Sequence, residues 1–541
     1  GTTVDVTITG ENTNFTQADA TVSFINGNNE ELASTTAVVD DNNLTANVVI
    51  PADATIGEYT VTVSSADYNL TTTFTVNEIS GGPDVIYSDD FSNPSTWVTD
   101  HDANDCSLDW QIGNVSCSGF YPIADIQSTT AANGWAMVDS DNYGGETGGT
   151  EVEDSWLTMA NPVDLSDYEN VVIEFETYYR SYNYEKPFIV VGIGDGQGNV
   201  EWPTDLTPDY DESTNPNVFA AFPAGIENPT ANPYKAQINI SSVAGGQSEV
   251  YIRFNWTGTW GYAWFVDDFK ILEQVDNDVV AEYAWIFEEN SGGIEYGRTP
   301  LSQSAGVYEI GGTVFNFGAA DQTNVKLDVN FSGPTAISVA DSIAILENDS
   351  SHTFSIQSAL EFELGLYEGI FNYSSDDDNL GENNTLKRNF EITEDVYSMD
   401  GIDIHPEDEL VLSSLGTASF ADAADGFVCA NEYLFSSRDT IKSITALITS
   451  NTSPGAEVIA YVLDSVSYFT GDFGNALSMS DLYTVTAEDT ANGQIEIPVI
   501  GSPWPGDGVE SLPVEPGQYY VALEMNSAGN TYDIRILDDN T

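Results

Sequence analysis

The chain has 541 residues and carries 87 acidic side chains against 12 Lys plus Arg, a formal net charge of −75. That length implies about three to five domains rather than one core, and a hydrophobic fraction of 41% excludes wholesale disorder. Such a surface excludes nucleic-acid and anionic-lipid partners, which require cationic patches; it attracts divalent cations and suits a saline or marine extracellular setting, where salt screens self-repulsion.

No Lys or Arg precedes Arg180. No apolar run reaches the ~18 residues of a transmembrane helix. The chain starts at Gly1 without a signal peptide, so the expectation is a mature or internal piece of a longer product.

Residues 1–78 read as a small sandwich. Val4, Val6 and Ile8 alternate with polar residues, as do Leu44, Ala46, Val48 and Ile50. Tyr59, Val61 and Val63 repeat the pattern after an Ile56-Gly57 turn, and Phe74 and Val76 close it. Short alternating strands between turns predict an immunoglobulin-like sandwich. The phrases Val6–Phe15 and Ile50–Val61 resemble bacterial Ig-like modules of the IPT/TIG kind. Glu78–Pro83 reads as a linker.

Residues 84–274 hold eight of the ten Trp. Strands are predicted at Val171–Tyr179, Phe188–Ile193, Val250–Trp256 and Ala263–Ile271, with hairpin punctuation at Gly194–Asn199. The last of these alternates, so Phe265, Asp267, Phe269 and Ile271 are expected on one face and Trp264, Val266, Asp268 and Lys270 on the other. With the Phe/Ile face as core, Asp267 would be an acid in an apolar column, costly unless paired or bound to metal.

Tyr87–Phe91 carries a second Asp-Asp-Phe phrase. Together with Trp97, Gly134–Met137, Asp154–Leu157, Pro162–Ser166 and Trp264–Asp268, this order of motifs resembles the choice-of-anchor J/cleaved-adhesin jelly roll, a relative of the MAM sandwich. The resemblance implies a secreted, often type IX-exported, Bacteroidota surface protein, no catalysis, and structural calcium.

Residues 276–395 read as another Ig-like module. Gly312–Gly318 followed by Asn324–Val329 resembles the opening of the CARDB-type adhesion module. The run Asp376–Asn384 sits where such modules keep an acidic loop; it lacks the spaced EF-hand pattern and reads as solvated. Residues 396–541 show β patterning at Ile441–Ile448, Glu457–Leu463, Gln494–Val499 and Gln518–Glu524, a further sandwich with no family resemblance. No segment shows a sustained helical period. The fold class expected is therefore all-β, a tandem of Ig-like and jelly-roll sandwiches.

Catalytic chemistry finds little support. His101, His352 and His405 fall in different predicted domains or linkers, and neither a Gly-x-Ser-x-Gly elbow nor His-Glu-x-x-His occurs. Calcium is the sharper expectation, because hard cations take several oxygen ligands. First and last strands of a jelly roll commonly lie side by side, which would bring Asp89 or Asp90 to Asp267 or Asp268 as a Ca2+ site. Asp139 and Asp141 are a second candidate.

Trp260 and Tyr262, with Trp256 and Trp264, could form a sugar-stacking platform, although core packing explains most of these rings. Cys106 and Cys117 could bridge, worth roughly 2–3 kcal/mol in the chain-entropy model; the alternative is two buried thiols. No Cys/His spacing suggests zinc. Asp341-Ser342-Ile343, Asp439-Thr440-Ile441, Asp464-Ser465-Val466 and Asp489-Thr490-Ala491 resemble the O-glycosylation acceptor of Bacteroidota export. The sequence thus points to a non-catalytic adhesive or appendage-building segment on a cell surface, stabilised by calcium and able to self-associate, with cell-surface or glycan ligands. The alternative is the carbohydrate-binding, non-catalytic region of a secreted hydrolase or protease.

Overall fold

A computed structural model describes the chain except residues 1, 10–14, 16–19, 28–30, 39–40, 42, 51–56, 66–68, 77–82, 104–105, 183, 204–205, 224–225, 227, 406–409, 411, 420–424, 502–509 and 540–541. Most of the Glu78–Pro83 linker, Ile56 of the predicted turn and the centre of the Val6–Phe15 phrase lie outside the described residues. Two compact units result, Gly1–Gly82 and Pro83–Thr541. Both are built from sheets whose pairings are antiparallel apart from the short parallel one of Arg298–Pro300 with Thr385–Thr393, and among the described residues the α-helices are no longer than the eight residues of Ser140–Thr147.

In the first unit, Asn43–Ile50 pairs with Thr2–Thr9 and Ser34–Val38 in one sheet, while Thr21–Asn26, Gly57–Ser64 and Asn69–Val76 carry the other. The period-2 pattern does the sorting: Leu44, Ala46 and Val48 turn inward against Phe24, Tyr59, Val61 and Val63, all buried.

The second unit begins with a two-sheet jelly roll. One sheet runs, in spatial order, through Gln111–Gly113, Trp135–Asp139, Ala263–Glu273, Val171–Arg180 and Tyr234–Asn239. The facing sheet runs through Val218–Ala220, Phe188–Ile193, Val250–Gly258, Glu153–Met159 and Trp97–His101. The closing strand Ala263–Glu273 is central. Along one edge it pairs with Val171–Arg180; along the other it pairs first with Trp135–Asp139 and then with the opening strand Val85–Asp89, Phe269 standing opposite Asp89. Opening and closing strands are therefore neighbours.

The closing strand corrects the expected alternation. Lys270 faces Glu174 but Asp267 faces Glu176, so Asp268 and Phe269 together stand against the single Phe175. This is a β-bulge, and Asp268 takes the left-handed turn it needs, with φ of +48°. The extra residue reverses parity. Phe269 and Ile271 thus join Trp264 and Val266 in the main core, while Phe265 packs on the outer face with Trp135 and Met137. Asp267 does not share the Phe269 column.

The core between the sheets is an aromatic lattice. Trp97 lies 5.7 Å from Phe254 and 5.6 Å from Phe269, and Trp264 lies 5.2 Å from Trp110. Trp256 and Trp264 are wholly buried, so these two rings are core rather than platform. Rings of this size bury enough apolar area to dominate the stability of a sandwich.

Two more sandwiches follow. Val279–Glu288, Gly306–Asn316 and Ser351–Leu360 face a sheet containing Gln322–Ser332, Gly365–Ser374 and Thr385–Thr393. The last is built around Asp425–Phe435, Gly517–Asn526 and Glu457–Asp464. These two modules are bonded together: Arg298 reaches Asp400 at 3.1 Å and the Ile402 carbonyl at 2.6 Å, and Tyr296 packs against Tyr397 and Tyr433. A groove of about 590 Å³ beside this contact holds His405 and Arg388.

Candidate functional site

The predicted acids separate into two groups. In the first, the turn at residues 128–133 closes over Asp90, Asp267 and Asp268. Ser128 donates its hydroxyl to Asp267 at 2.5 Å, and the Asp268 N–H donates to the other Asp267 oxygen at 2.8 Å. Thr130 gives its N–H and hydroxyl to the two Asp268 oxygens, at 3.0 and 3.1 Å. Asn133 donates to Asp90 at 2.9 Å, whose second oxygen takes the Ser92 N–H and hydroxyl. Asp89 accepts from the Phe91 N–H at 2.8 Å and from the Tyr87 hydroxyl.

Every carboxylate oxygen of these four acids meets a donor. Burial nevertheless pushes the Asp267 carboxyl up to about 7 and raises Asp268, while the bonds from Ser92 hold Asp90 low. Among the described residues, no three His, Cys, Asp or Glu side chains converge as a metal centre.

The second group brings Asp139, Asp141, Trp260 and Tyr262 together at one end of the jelly roll. Trp135–Asp139 runs directly into the helix Ser140–Thr147, and Asp139 caps that helix by accepting the Asn142 N–H at 3.0 Å. Its other oxygen takes the Ser118 N–H at 2.8 Å. Asp141 accepts from the Tyr121 N–H and from the Trp260 indole, the latter at 3.1 Å, and donates its own N–H to the Tyr262 carbonyl at 2.9 Å. Beneath them Glu153, wholly buried, accepts from the Ser140 hydroxyl at 2.6 Å and the Trp256 indole at 2.7 Å; Ser140 in turn accepts from the Gly261 N–H. Burial pushes Glu153 up to about 7. Gly144 leaves the space that Trp260 fills, since a Cβ there would lie 2.6 Å from the indole.

The acids thus hold a turn that presents Trp260 and Tyr262 half-buried at the surface. Beside it stand two rings that composition alone did not single out, Phe120 and Tyr182, exposed by 72 and 65%, and the same two loops expose Tyr121 and Tyr184 by 64 and 44%. Phe120 lies 6.5 Å from Trp260, Tyr182 lies 6.2 Å from Tyr262, and the Arg180 guanidinium sits 4.1 Å above the Tyr262 ring. The Tyr182 and Tyr184 N–H groups both donate to Glu185. Their signal was legible in retrospect. Ser-Gly-Phe-Tyr-Pro (118–122) and Ser-Tyr-Asn-Tyr (181–184) place aromatics among loop residues, where no strand alternation would bury them.

The Cys106–Cys117 bridge is absent, and the fold explains why. Cys106 lies in the core between the sheets, beside the Asp154 backbone, whereas Cys117 packs on the outer face against Met137, and both thiols are free. The sheet that contains Trp135–Asp139 lies between the two clusters, sending Ala136 and Val138 to one and Trp135 and Met137 to the other. The histidines are not brought together either; His101 pairs with Asp109 at 2.8 Å.

No protein-family profile matches the chain, and no curated protein matches it. Among solved structures it is similar to a Bacteroides uniformis β-glucuronidase, at 11% identity and a TM-score of 0.24 over 54% of this chain and 32% of that one. The chain thus spans about a third of the glucuronidase's length. It is also similar to SGBP-B from a xyloglucan utilization locus of Bacteroides uniformis, at 11% identity and a TM-score of 0.18 over 50% of this chain and 69% of that one. A tetra-tandem repeat from the extending region of a large adhesion protein aligns with 94% of this chain and 92% of its own length, at 8% identity and a TM-score of 0.15. Likenesses of this size leave the assignment to the chain's own features: tandem β-sandwiches, the second of them carrying an exposed aromatic end.

Proposed function

We propose that this chain is a non-catalytic, adhesive segment of a secreted cell-surface protein, with the aromatic end of its jelly roll as the ligand surface. The observation that carries the reading is the contact of the exposed rings Phe120 and Tyr182 with Trp260 and Tyr262, with Tyr121 and Tyr184 exposed on the same two loops. Exposed rings concentrated at one end, and positioned by buried acids, are the usual make-up of a binding surface. They combine apolar faces with phenol and indole groups that suit sugar rings or a protein loop.

The order of motifs supports a choice-of-anchor J relative flanked by IPT/TIG-like and CARDB-like modules, exported by a type IX route into a saline surrounding. Calcium enters the proposal as a structural cation, and self-association of the tandem modules into an oligomer or filament as its mode of assembly.

The test is binding of the immobilised chain to a glycan array and to extracellular-matrix proteins, with Phe120→Ser/Tyr182→Ser and Trp260→Ala variants. Loss of at least about tenfold in affinity with an unchanged melting temperature supports the surface; an unchanged profile in both variants refutes it. The runner-up, a carbohydrate-binding region of a secreted hydrolase or protease, uses the same rings. A catalytic domain in the flanking coding sequence would favour it, and further Ig-like repeats would favour the adhesin. Light scattering in calcium-containing saline tests assembly: a monodisperse monomer would count against it. Ser342 and Thr440 are exposed on their strands, so an intact-mass excess on those peptides from the native source is expected if the export route is right.

A further inference from the structure

Among the buried side-chain atoms that have no hydrogen-bond partner, three sit on linked residues: Asp278 Oδ2, Asn383 Oδ1 and Asn384 Oδ1, with Asn383 hydrogen-bonded to Asp278 and Asn384 next to it in the chain. Asp278 is 1% exposed and Asn384 5%. They lie near the joint where the jelly roll hands over to the next sandwich. Asp278 immediately precedes the strand Val279–Glu288, and the two Asn end the loop that joins Gly365–Ser374 to Thr385–Thr393.

The orientation of each amide is set by its neighbour. Asn383 gives its NH2 to Asp278 Oδ1 at 3.0 Å, and Asn384 gives its NH2 to Asp378 Oδ2. With the nitrogens committed to carboxylates, the amide oxygens are what remains. Asp378 uses its other oxygen to accept the Leu380 N–H at 3.0 Å. Among the described residues, neither Asp278 nor Asp378 has a Lys or Arg partner. The leftover valences are therefore all oxygen lone pairs beside two carboxylates.

Such a group lacks a donor. Water would supply donors to these oxygens but would leave the two neighbouring carboxylates uncompensated. A hard cation does both, because it collects roughly six to eight carboxylate and carbonyl oxygens and cancels the carboxylate repulsion. We propose that Asp278, Asn383 and Asn384, with Asp378 beside them, form a Ca2+ site that ties the loop at 378–384 to the start of the strand Val279–Glu288, where the chain has just left the jelly roll. This deepens the proposed use of calcium and rests on that part of it; the adhesive reading stands apart from it. The joint is already laced by Gln274 donating to the Phe317 carbonyl at 2.6 Å and by mutual bonds between Asn277 and Asn379. A cation would add the charged tie that the loop otherwise lacks.

The experiment is Ca2+ titration of EDTA-stripped full chain by calorimetry in low-sodium buffer, with stoichiometry checked by elemental analysis. Asp278→Asn is expected to bind one Ca2+ fewer than wild type. Asn384→Asp adds a charged ligand, so it is expected to bind about tenfold or more tighter and to lose stability without Ca2+, which keeps the test open should Asp278→Asn fail to fold. Unchanged stoichiometry in Asp278→Asn, or unchanged affinity in Asn384→Asp, overturns the site while leaving calcium elsewhere in the chain intact. No Ca2+ uptake by wild type overturns both.

Discussion

Asp267 and Asp278 are buried aspartates only eleven residues apart, 0 and 1% exposed, and burial raises the carboxyl of both. Their surroundings are opposite. Asp267 meets a hydroxyl and an N–H, each a donor, and both of its oxygens are satisfied. Asp278 meets one amide N–H, and the polar atoms left around it are acceptors. In a chain of this charge, density of acids does not mark a cation site. What marks it is the chemistry of the groups that face the acid: donors occupy both oxygens of a buried carboxyl, and acceptors leave an oxygen open to a cation.

Replacing the first acid should give the largest effect. Asp267 is pushed up to about 7, so the folded state keeps its proton while the unfolded chain ionises near 4. A raised carboxyl costs stability as pH climbs between those two values, and the cost is constant above the higher one. Asp267→Asn, which can still accept from the Asp268 N–H and donate to Ser128, should therefore gain on wild type from about pH 4 to about pH 7. The gain should reach a plateau on the order of a few kcal/mol. Urea unfolding across that range checks it; a difference that is flat with pH would show that Asp267 titrates normally.

Removing the donor should act in the other direction. Ser128→Ala leaves Asp267 Oδ2 buried without its hydroxyl partner, a loss of about 1–3 kcal/mol that grows above pH 7, where the acid is charged. An unchanged denaturation midpoint at pH 8 would mean that the bond from Ser128 contributes nothing. Smaller still is Asn133→Ala. Its partner Asp90 is partly exposed and has Ser92 as well, so a cost below about 1 kcal/mol is expected, and a larger one would show that the turn at 128–133 depends on this contact.

Most of the strand framework could be read from the sequence because alternation survives in it. Phe188–Ile193 is found as predicted, and Val171–Tyr179, Val250–Trp256 and Ala263–Ile271 each extend by one or two residues. The adjacency of Asp89 to the closing strand was legible from the jelly-roll motif order. The bulge at Asp268 was not, since one extra residue leaves composition unchanged while reversing which side chains share a face.

The Cys106–Cys117 pairing failed for a related reason: closeness along the chain says nothing about which side of a sheet each thiol occupies. At the rim, the sequence named Trp260, Tyr262, Asp139 and Asp141 but offered no reason to group them. That grouping comes from the indole-to-Asp141 bond and from loops at 118–122 and 181–184 folding to the same end. At the joint, the Asp376–Asn384 run was read as a solvated loop because it lacks ligand spacing. The missing partner, Asp278, lies about a hundred residues upstream, and only the fold unites them.

The contrast between the two aspartates is tested most directly by thermal unfolding of Asp267→Asn and Asp278→Asn side by side, each with saturating Ca2+ and with EDTA. Wild type and Asp267→Asn should both lose melting temperature when Ca2+ is removed, by the same amount, whereas Asp278→Asn should lose clearly less. An equal Ca2+ dependence in all three proteins would contradict the assignment of the cation to the joint.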